Sequence, residues 1–271
     1  ASLTHRAKDG MVALMRATAG RYHQVMKVLI DAKADVTGQD RENNASNASL
    51  LKTAVRNGDV RAARILLDAK ADIDHEEFLL YDAVDAQHEG IVKVLLEANA
   101  RVNDEEVVPS YLVMAAEDNN VRIMKLLIDA KAELQPNRDS KAIDGEKCPL
   151  MVATKNNNKA AVRLLINSKA RVDGQYGWHR ATRPKRGWQD ECTKSLMTCA
   201  VEHFILSSSK PEDRSWMSML KLLVAAKAPV ADMYPRFEEY PDLRRSDYDQ
   251  RWKVVKTMLD FKATFDVNTI A

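Results

Sequence analysis

The chain has 271 residues, with 41 Lys and Arg against 39 Asp and Glu, so its formal net charge is +2. This near balance argues against a whole-surface electrostatic grip on nucleic acid or acidic membranes, but it is compatible with a local basic patch. The hydrophobic fraction of 45% and the charged fraction of 30% are typical of a folded, soluble protein.

Targeting and redox features are sparse. Cys148, Cys192 and Cys199 form no closely spaced pair, which indicates a reducing, intracellular setting. No uncharged apolar run approaches the roughly 18 residues that span a bilayer, and the N-terminal ASLTHRAKDG lacks the apolar core of a signal peptide. We expect a cytoplasmic protein, or one in an organelle interior if a targeting segment was removed, because Ala1 follows either a removed Met or a cleaved precursor.

One pattern recurs seven times along the chain. Its clearest copies read DAKADV at 31–36, DAKADI at 68–73 and DAKAEL at 129–134. A block of apolar residues around one basic residue precedes each copy, as in VMKVLI at 25–30, which is typical of a helix packed on both sides. Further upstream, a Leu precedes a small residue by three positions, in Leu14/Ala17, Leu51/Ala54, Leu80/Ala83, Leu112/Ala115, Leu150/Ala153, Leu196/Cys199 and, weakly, Leu243/Ser246.

Twenty positions separate this Leu from the alanine at the fourth position of the recurring pattern, except in the sixth copy, where the distance is 32. A fixed length predicts two short helices joined by a tight turn, and Gly20, Asn57-Gly58, Asn119-Asn120 and 156–158 supply residues that tolerate positive φ there. The connections vary from 9 to 26 residues, which marks the loop edge as the place for partner-specific surface. First helices are predicted to start near Val12, Ser49, Phe78, Ser110, Pro149, Ser195 and Asp242.

These residues resemble the ankyrin repeat. Its TPLHxA signature is partly matched by CPLMVA at 148–153, and more weakly by SLLKTA at 49–54 and SYLVMA at 110–115. The resemblance implies an all-α, ankyrin-like α-solenoid that forms a single domain over 1–271, with a long loop at 173–194 and an insertion at 204–216. The seven copies are expected at about 8–37, 45–74, 76–103, 108–135, 147–173, 193–231 and 240–266.

The chain departs from the family in two further ways. The seventh copy is polar at Arg244, Arg245, Ser246 and Asp247, as in a capping repeat, and no equally polar cap precedes the first copy, so a further N-terminal segment or a partner at that end stays open. The family's usual Gly is replaced, and we predict positive φ and strain of about 1 kcal/mol at each Lys among the replacements. They are Lys33, Lys70, Asn99, Lys131, Lys169, Lys227 and Lys262.

Chemistry-bearing motifs are absent from the sequence. It contains no GxxxxGK[ST], GxGxxG, GxSxG or HExxH, so we predict no enzymatic activity and no cofactor. His179, Cys192, Cys199 and His203 are metal-ligand types, but they lack the close pairs of structural zinc sites. Cys199 also occupies the small-residue position of its copy, where a buried apolar role is simpler. We therefore predict no bound metal.

The longest connection carries a basic run between two tryptophans. Arg and Trp are common at protein interfaces, so this loop suits an acidic protein surface. It equally suits phosphates and stacked bases, or a solvated loop with locally packed tryptophans. The candidate partner-binding residues here and at the insertion are Trp178, Arg180, Arg183, Lys185, Arg186, Trp188, Phe204 and Trp216.

A second candidate surface is the groove that the first helices line in the ankyrin family. When the copies are aligned, one pair of residues in each of the first six is predicted to be exposed in this groove. The pairs are Ala19/Gly20, Arg56/Asn57, Asp85/Ala86, Glu117/Asp118, Lys155/Asn156 and Val201/Glu202. Its middle is acidic at Asp85, Glu117 and Asp118, with Lys155 following. An ordinary solvated groove is the preferred interpretation of these charges, because runs of surface charge are usually just solvated.

The sequence thus predicts a non-catalytic protein-interaction scaffold or an accessory subunit of a larger assembly. The expected partner is another protein or a multi-subunit complex, held by 173–194 and 204–216 with the acidic groove secondary. The alternative is an anion- or nucleic-acid-binding module that uses Arg180–Arg186. We expect no membrane insertion, and the oligomeric state stays open.

Overall fold

A computed structural model describes residues 13–36, 49–71, 73, 78–103, 109–135, 148–173, 175–178, 192–206 and 214–228. Its helices are α1 (13–19), α2 (His23–Asp31), α3 (Leu50–Arg56), α4 (Val60–Asp68), α5 (Leu79–Asp85), α6 (Glu89–Glu97), α7 (Tyr111–Glu117), α8 (Val121–Asp129), α9 (Pro149–Lys155), α10 (Lys159–Asn167), α11 (Leu196–Leu206) and α12 (Arg214–Ala225). Two strands, β1 (Gln175–Trp178) and β2 (Cys192–Ser195), lie between α10 and α11.

The helices form six pairs within the described part of the chain, and each pair belongs to one predicted copy. Their first helices begin within one residue of the predicted starts, and the all-α architecture of stacked helix pairs is confirmed. The seventh copy at 240–266, its start at Asp242 and Lys262 lie outside the described residues. The boundaries of the copies and the single domain over 1–271 stay predictions.

Two compact units divide the chain, 1–133 and 134–271. In the first unit, α3, α5 and α7 pack side by side in chain order, and α2, α4, α6 and α8 form a second layer in the same order. In the second unit, α9 packs on α11, and α10 packs on α12. The core of both layers is aliphatic, with fully buried side chains such as Leu51, Leu66, Leu112 and Leu127.

Short polar caps begin many of the helices. Ser49 accepts hydrogen bonds from the N–H groups of Leu51 and Lys52 at the start of α3. Asp59, Asn120 and Asn158 each accept one from the N–H group three residues later, at the start of α4, α8 and α10. Such caps satisfy N–H groups that have no partner inside the helix, so they fix where these short helices start.

The second helices end in a common hydrogen-bonded turn. After α8, the Lys131 N–H donates to the Ile128 carbonyl (3.0 Å) and the Ala132 N–H donates to the Leu127 carbonyl (2.9 Å), which is a Schellman motif. The motif requires a left-handed residue at the Lys131 position, where φ is 70°. The predicted positive φ is confirmed at the six described replacements of the family's glycine, Lys33, Lys70, Asn99, Lys131, Lys169 and Lys227.

The turns inside the pairs also contain one left-handed residue. It falls on Gly58, Asn119 and Asn157, as the sequence predicts, and on Gln87. In the first copy the left-handed residue is Arg21, with a φ of 58°, rather than Gly20. A Cβ atom at Gly20 would overlap the Tyr22 ring, so a larger residue there would require this exposed ring to move.

The sixth copy holds its extra residues largely as helix. Its first helix α11 has 11 residues and its second helix α12 has 12, against seven and nine in the earlier pairs. The expectation of an inserted loop over 204–216 was therefore wrong at both ends, because Phe204 lies in α11 and Trp216 lies in α12. For the same reason Val201 is buried inside the longer α11 rather than exposed.

Candidate functional site

A two-stranded antiparallel ribbon lies inside the predicted long loop at 173–194. Gln175 pairs with Ser195 at one end of the ribbon, and Trp178 pairs with Cys192 at the other. Residues 179–191 therefore leave and return at paired backbone positions. The ribbon was not predicted from the sequence, since its strands of four residues lie far apart in the chain. The β-favouring residues Tyr176, Trp178 and Thr193 were the available signal.

The ribbon continues directly into the sixth copy. Ser195 ends β2 and precedes α11, where its Oγ accepts a hydrogen bond from the Thr198 N–H at 3.1 Å. The same Oγ lies 2.9 Å from Thr198 Oγ1, and both side chains are buried. One residue thus joins the strand to the helix cap, so the base of the ribbon is fixed to the helix pair.

Five of the candidate partner-binding residues lie outside the described residues. They are Arg180, Arg183, Lys185, Arg186 and Trp188, and His179 also lies outside the described residues. Trp178 lies in β1, at the last strand position before this segment. The structure therefore describes the residues that flank 179–191 on both sides, Trp178 and Cys192.

The described metal-ligand types at the junction fall on two elements. Cys192 lies in β2 and His203 in α11, while Cys199 is buried near the start of α11. Among the described residues, no three His, Cys, Asp or Glu side chains group as a metal site would require. The buried position of Cys199 agrees with its interpretation as a small core residue.

The first-helix surface of the first unit changes sign along the stack. Arg56, Asp85 and Glu117 occupy the same position at the ends of α3, α5 and α7, and all three are exposed, as is Asp118. The Arg56 Nε lies 3.2 Å from the Asp82 Oδ2 and so links the second copy to the third. Lys155 is exposed at the matching position of α9 in the second unit.

An exposed aromatic pair at the start of α5 was not predicted from the sequence. The rings of Phe78 and Tyr81 meet edge to face, with centroids 6.4 Å apart. Phe78 caps α5 in the left-handed region, at φ 68°, and its side chain makes no capping hydrogen bond. Ser49 and Ser110 occupy the same position in the neighbouring copies, so a Phe in the series was the signal for an unusual exposed residue.

A buried carboxylate links the first two copies. The His23 Nε2 lies 2.8 Å from Asp59 Oδ2 and 2.9 Å from Oδ1, and Arg21 donates to the Asn57 carbonyl beside it. Burial acts to raise the pKa of Asp59. The hydrogen bond from the Ala62 N–H, the His23 contact and the Arg21 charge outweigh burial and hold that pKa below its ordinary value. Asp59 is thus both a helix cap and a joint between copies.

None of the helices in the described part of the chain combines the length and apolar character needed to cross a bilayer. No curated protein matches the chain. A family model of ankyrin repeats, built of three copies, matches three times in overlapping frames, at residues 14–106, 80–176 and 112–203. Ankyrin repeats generally mediate protein–protein interaction and are typically non-catalytic. Since these matches run over most of the chain and the helix pairs fall in the same register, the chain belongs to the ankyrin repeat family.

Proposed function

We propose that the protein is a non-catalytic interaction scaffold, or an accessory subunit of a larger assembly, that holds a protein partner at the junction of its fifth and sixth copies. The observation that carries the proposal is the β1–β2 ribbon. Because Trp178 and Cys192 pair, the segment 179–191, which contains the basic run, is attached at both ends to paired strand residues.

The composition of the junction suits a protein interface. Ordering a long segment costs about 1–2 kcal/mol per residue in backbone entropy, so favourable contacts must compensate that cost on binding. Trp188 and Arg186 are the proposed anchors, because Trp and Arg are enriched among the residues that dominate interface energies. Arg180, Arg183 and Lys185 add donors for charge-assisted hydrogen bonds to carboxylates of the partner.

The acidic first-helix surface is the secondary contact of this proposal. Asp85, Glu117 and Asp118 are exposed there at the ends of α5 and α7, and the exposed Phe78–Tyr81 pair lies at the start of α5. Exposed carboxylates and aromatic rings on the same helices suit a partner that presents basic and apolar side chains.

The test is the double substitution Trp188→Ala with Arg186→Ala, assayed by quantitative co-purification of the native partner and by thermal melting. We expect loss of the partner with an unchanged melting temperature. The control pairs Arg163→Ala with Lys125→Ala, which removes two exposed basic residues of second helices outside both proposed contact surfaces and should keep the partner. Full retention of the partner by the junction variant would contradict the proposal.

Salt dependence separates this proposal from the alternative of anion or nucleic-acid binding through Arg180–Arg186. Binding to a phosphate backbone releases counterions, so its affinity falls steeply as salt rises. A Trp-centred protein contact depends much less on salt, because buried apolar area supplies most of its energy. We expect partner binding to persist at high salt. Steep loss, together with tight binding of an oligonucleotide at low salt, would favour the alternative.

A further inference from the structure

The charge of the chain is distributed unevenly between its two compact units. Residues 1–133 contain 17 Lys and Arg against 22 Asp and Glu, whereas residues 134–271 contain 24 against 17. The formal charges of the two units are therefore −5 and +7, a contrast that the net charge of +2 conceals. A local excess of one sign attracts ligands of the opposite sign even where the whole molecule is nearly neutral.

Part of the positive excess lies on two neighbouring helices of the second unit. The helix α10 packs on α12, and each exposes three residues at spacings of three and four positions, which share a helix face. Lys169 and Lys227 are exposed in the turns that follow the two helices. We call these residues together the α10–α12 face. Its helical members are Ala160, Arg163 and Asn167 on α10, and Ser218, Lys221 and Ala225 on α12.

The corresponding faces of the first unit carry both charge signs. The Arg64 Nη2 lies 3.3 Å from Glu97 Oε2, and the Arg122 Nη1 lies 3.4 Å from Glu89 Oε2, so ion pairs link neighbouring second helices there. In each of the first four copies, an exposed basic residue is also followed by an exposed acid four positions later. The pairs are Lys27/Asp31, Arg64/Asp68, Lys93/Glu97 and Lys125/Asp129.

The α10–α12 face lacks these acids. Asn167 and Ala225 occupy the acid position, and neither 159–169 nor 214–228 contains an Asp or Glu. The first acid after α10 is Asp173, and it pairs with Arg171, whose Nε lies 3.0 Å from its Oδ1. The face therefore presents Arg163, Lys169, Lys221 and Lys227 with no carboxylate among them.

We propose that the α10–α12 face binds an anionic lipid surface. Its composition differs from that of a protein interface, where Lys, Ala and Ser are depleted and aromatic residues are enriched. The face carries no aromatic ring on which the bases of a single strand could stack. Two packed helices are also about 20 Å wide, whereas the major groove of a duplex is only about 12 Å wide.

Long cationic side chains separated by small residues suit the phosphate and carboxylate groups of a bilayer surface. Each Lys or Arg close to an anionic bilayer raises the partition coefficient by a factor of about five, so four of them give reversible binding. The attraction falls off within a Debye length, about 8 Å at physiological ionic strength, so salt weakens it. Such binding needs no insertion into the hydrocarbon core, and the inference does not rest on the proposed partner site at the junction.

The test is co-sedimentation of the full chain with phosphatidylcholine vesicles that contain or lack phosphatidylserine, at low and at physiological salt. We expect binding that requires phosphatidylserine and weakens as salt rises. Asn167→Asp with Ala225→Glu restores the acid of the earlier copies and should lower the partition coefficient at least tenfold. The new acids lie four positions after Arg163 and Lys221, where they also support the helices, so thermal melting should report an intact fold.

The matched control is Lys93→Gln with Lys125→Gln, which makes the same change of net charge on the corresponding faces of the first unit and should leave vesicle binding unchanged. No binding to the acidic vesicles at low salt, or an equal loss in the control variant, would overturn the inference. Tighter binding to a DNA duplex than to the vesicles would overturn it too. So would vesicle binding that Trp188→Ala with Arg186→Ala abolishes and the restored acids do not weaken.

Discussion

Five lysines occupy the left-handed position that closes a helix pair, at Lys33, Lys70, Lys131, Lys169 and Lys227. A residue with a Cβ atom is strained there by about 1 kcal/mol or more. The ammonium group offsets part of that cost, because it lies next to the negative end of the helix dipole. The Schellman hydrogen bonds fix the backbone of the turn regardless of the side chain, so the lysines are tolerated.

Replacing Lys131 by Gly should stabilise the fold by up to about 1 kcal/mol, because Gly adopts positive φ without a steric cost. The matched control is Lys125→Gly in the middle of α8, where the same change should destabilise the fold by about 1 kcal/mol, since Gly is a poor helix former. Urea unfolding of both variants measures the two signs. Destabilisation of similar size in both would refute the role assigned to the Lys131 position.

Asp59 gives a pH-dependent link between the first two copies. Its folded-state pKa is lowered, so the carboxylate contributes stability that is present above the ordinary value of about 3.9 and is lost as the pH falls through the folded-state pKa. Asp59→Ala should therefore cost about 1 kcal/mol or more near neutral pH, from the cap and the His23 contact, and less in acid.

Asn120→Ala is the control for Asp59→Ala. Asn120 caps α8 in the same way, through the Ile123 N–H, but it carries no charge. Its loss should also cost about 1 kcal/mol, without a change through the carboxyl range. Denaturant unfolding at several pH values compares the two variants. Parallel pH curves would show that the Asp59 charge contributes nothing beyond the cap.

At the scale of the elements, coverage by neighbouring copies should decide the cost of a core truncation. Leu127→Ala, in α8, is expected to cost about 2–5 kcal/mol, because the side chain is fully buried. Leu29→Ala is the same change at the matching position of α2, where the side chain is half-buried, and it should cost less than half as much. Equal costs in chemical denaturation would mean that the first copy is covered as well as the fourth.

The elements that the sequence predicts well are those fixed by local chemistry. The leucine and alanine spacings give the helix pairs, and Ser49 and Ser110 mark the starts of α3 and α7. Phe78 at the cap of α5 follows no local rule, since a large aromatic residue rarely adopts the left-handed backbone it has there. The ribbon depends on pairing between distant residues, and the longer α11 and α12 replace a loop because apolar residues continue through 200–206 and 214–225.

The site is less predictable than the fold for a physical reason. The same contacts recur in every helix pair, so the pattern can be recognised even where one copy departs from it. A partner surface occurs once and depends on side chains that no other copy repeats. The exposed carboxylates Asp85, Glu117 and Asp118 follow from register alone, whereas Arg163 and Lys221 form one surface only because α10 and α12 pack side by side.

At the scale of the whole molecule, the proposed partner site lies at an irregular junction, whereas the other described helix pairs repeat one regular unit. Such a scaffold derives stability from nearest-neighbour interfaces, so the junction can vary without loss of the fold. Binding through the junction should therefore protect the backbone there and leave the opening of distant helix pairs unchanged.

Hydrogen–deuterium exchange of the full chain, alone and with its co-purified partner, measures this most directly. We predict that partner-dependent protection concentrates in residues 173–194, at the end of α11 and at the start of α12, with weaker protection at Asp85, Glu117 and Asp118. Protection confined to the first-helix surface, or spread evenly over all helix pairs while residues 179–191 exchange as in the isolated chain, would contradict it.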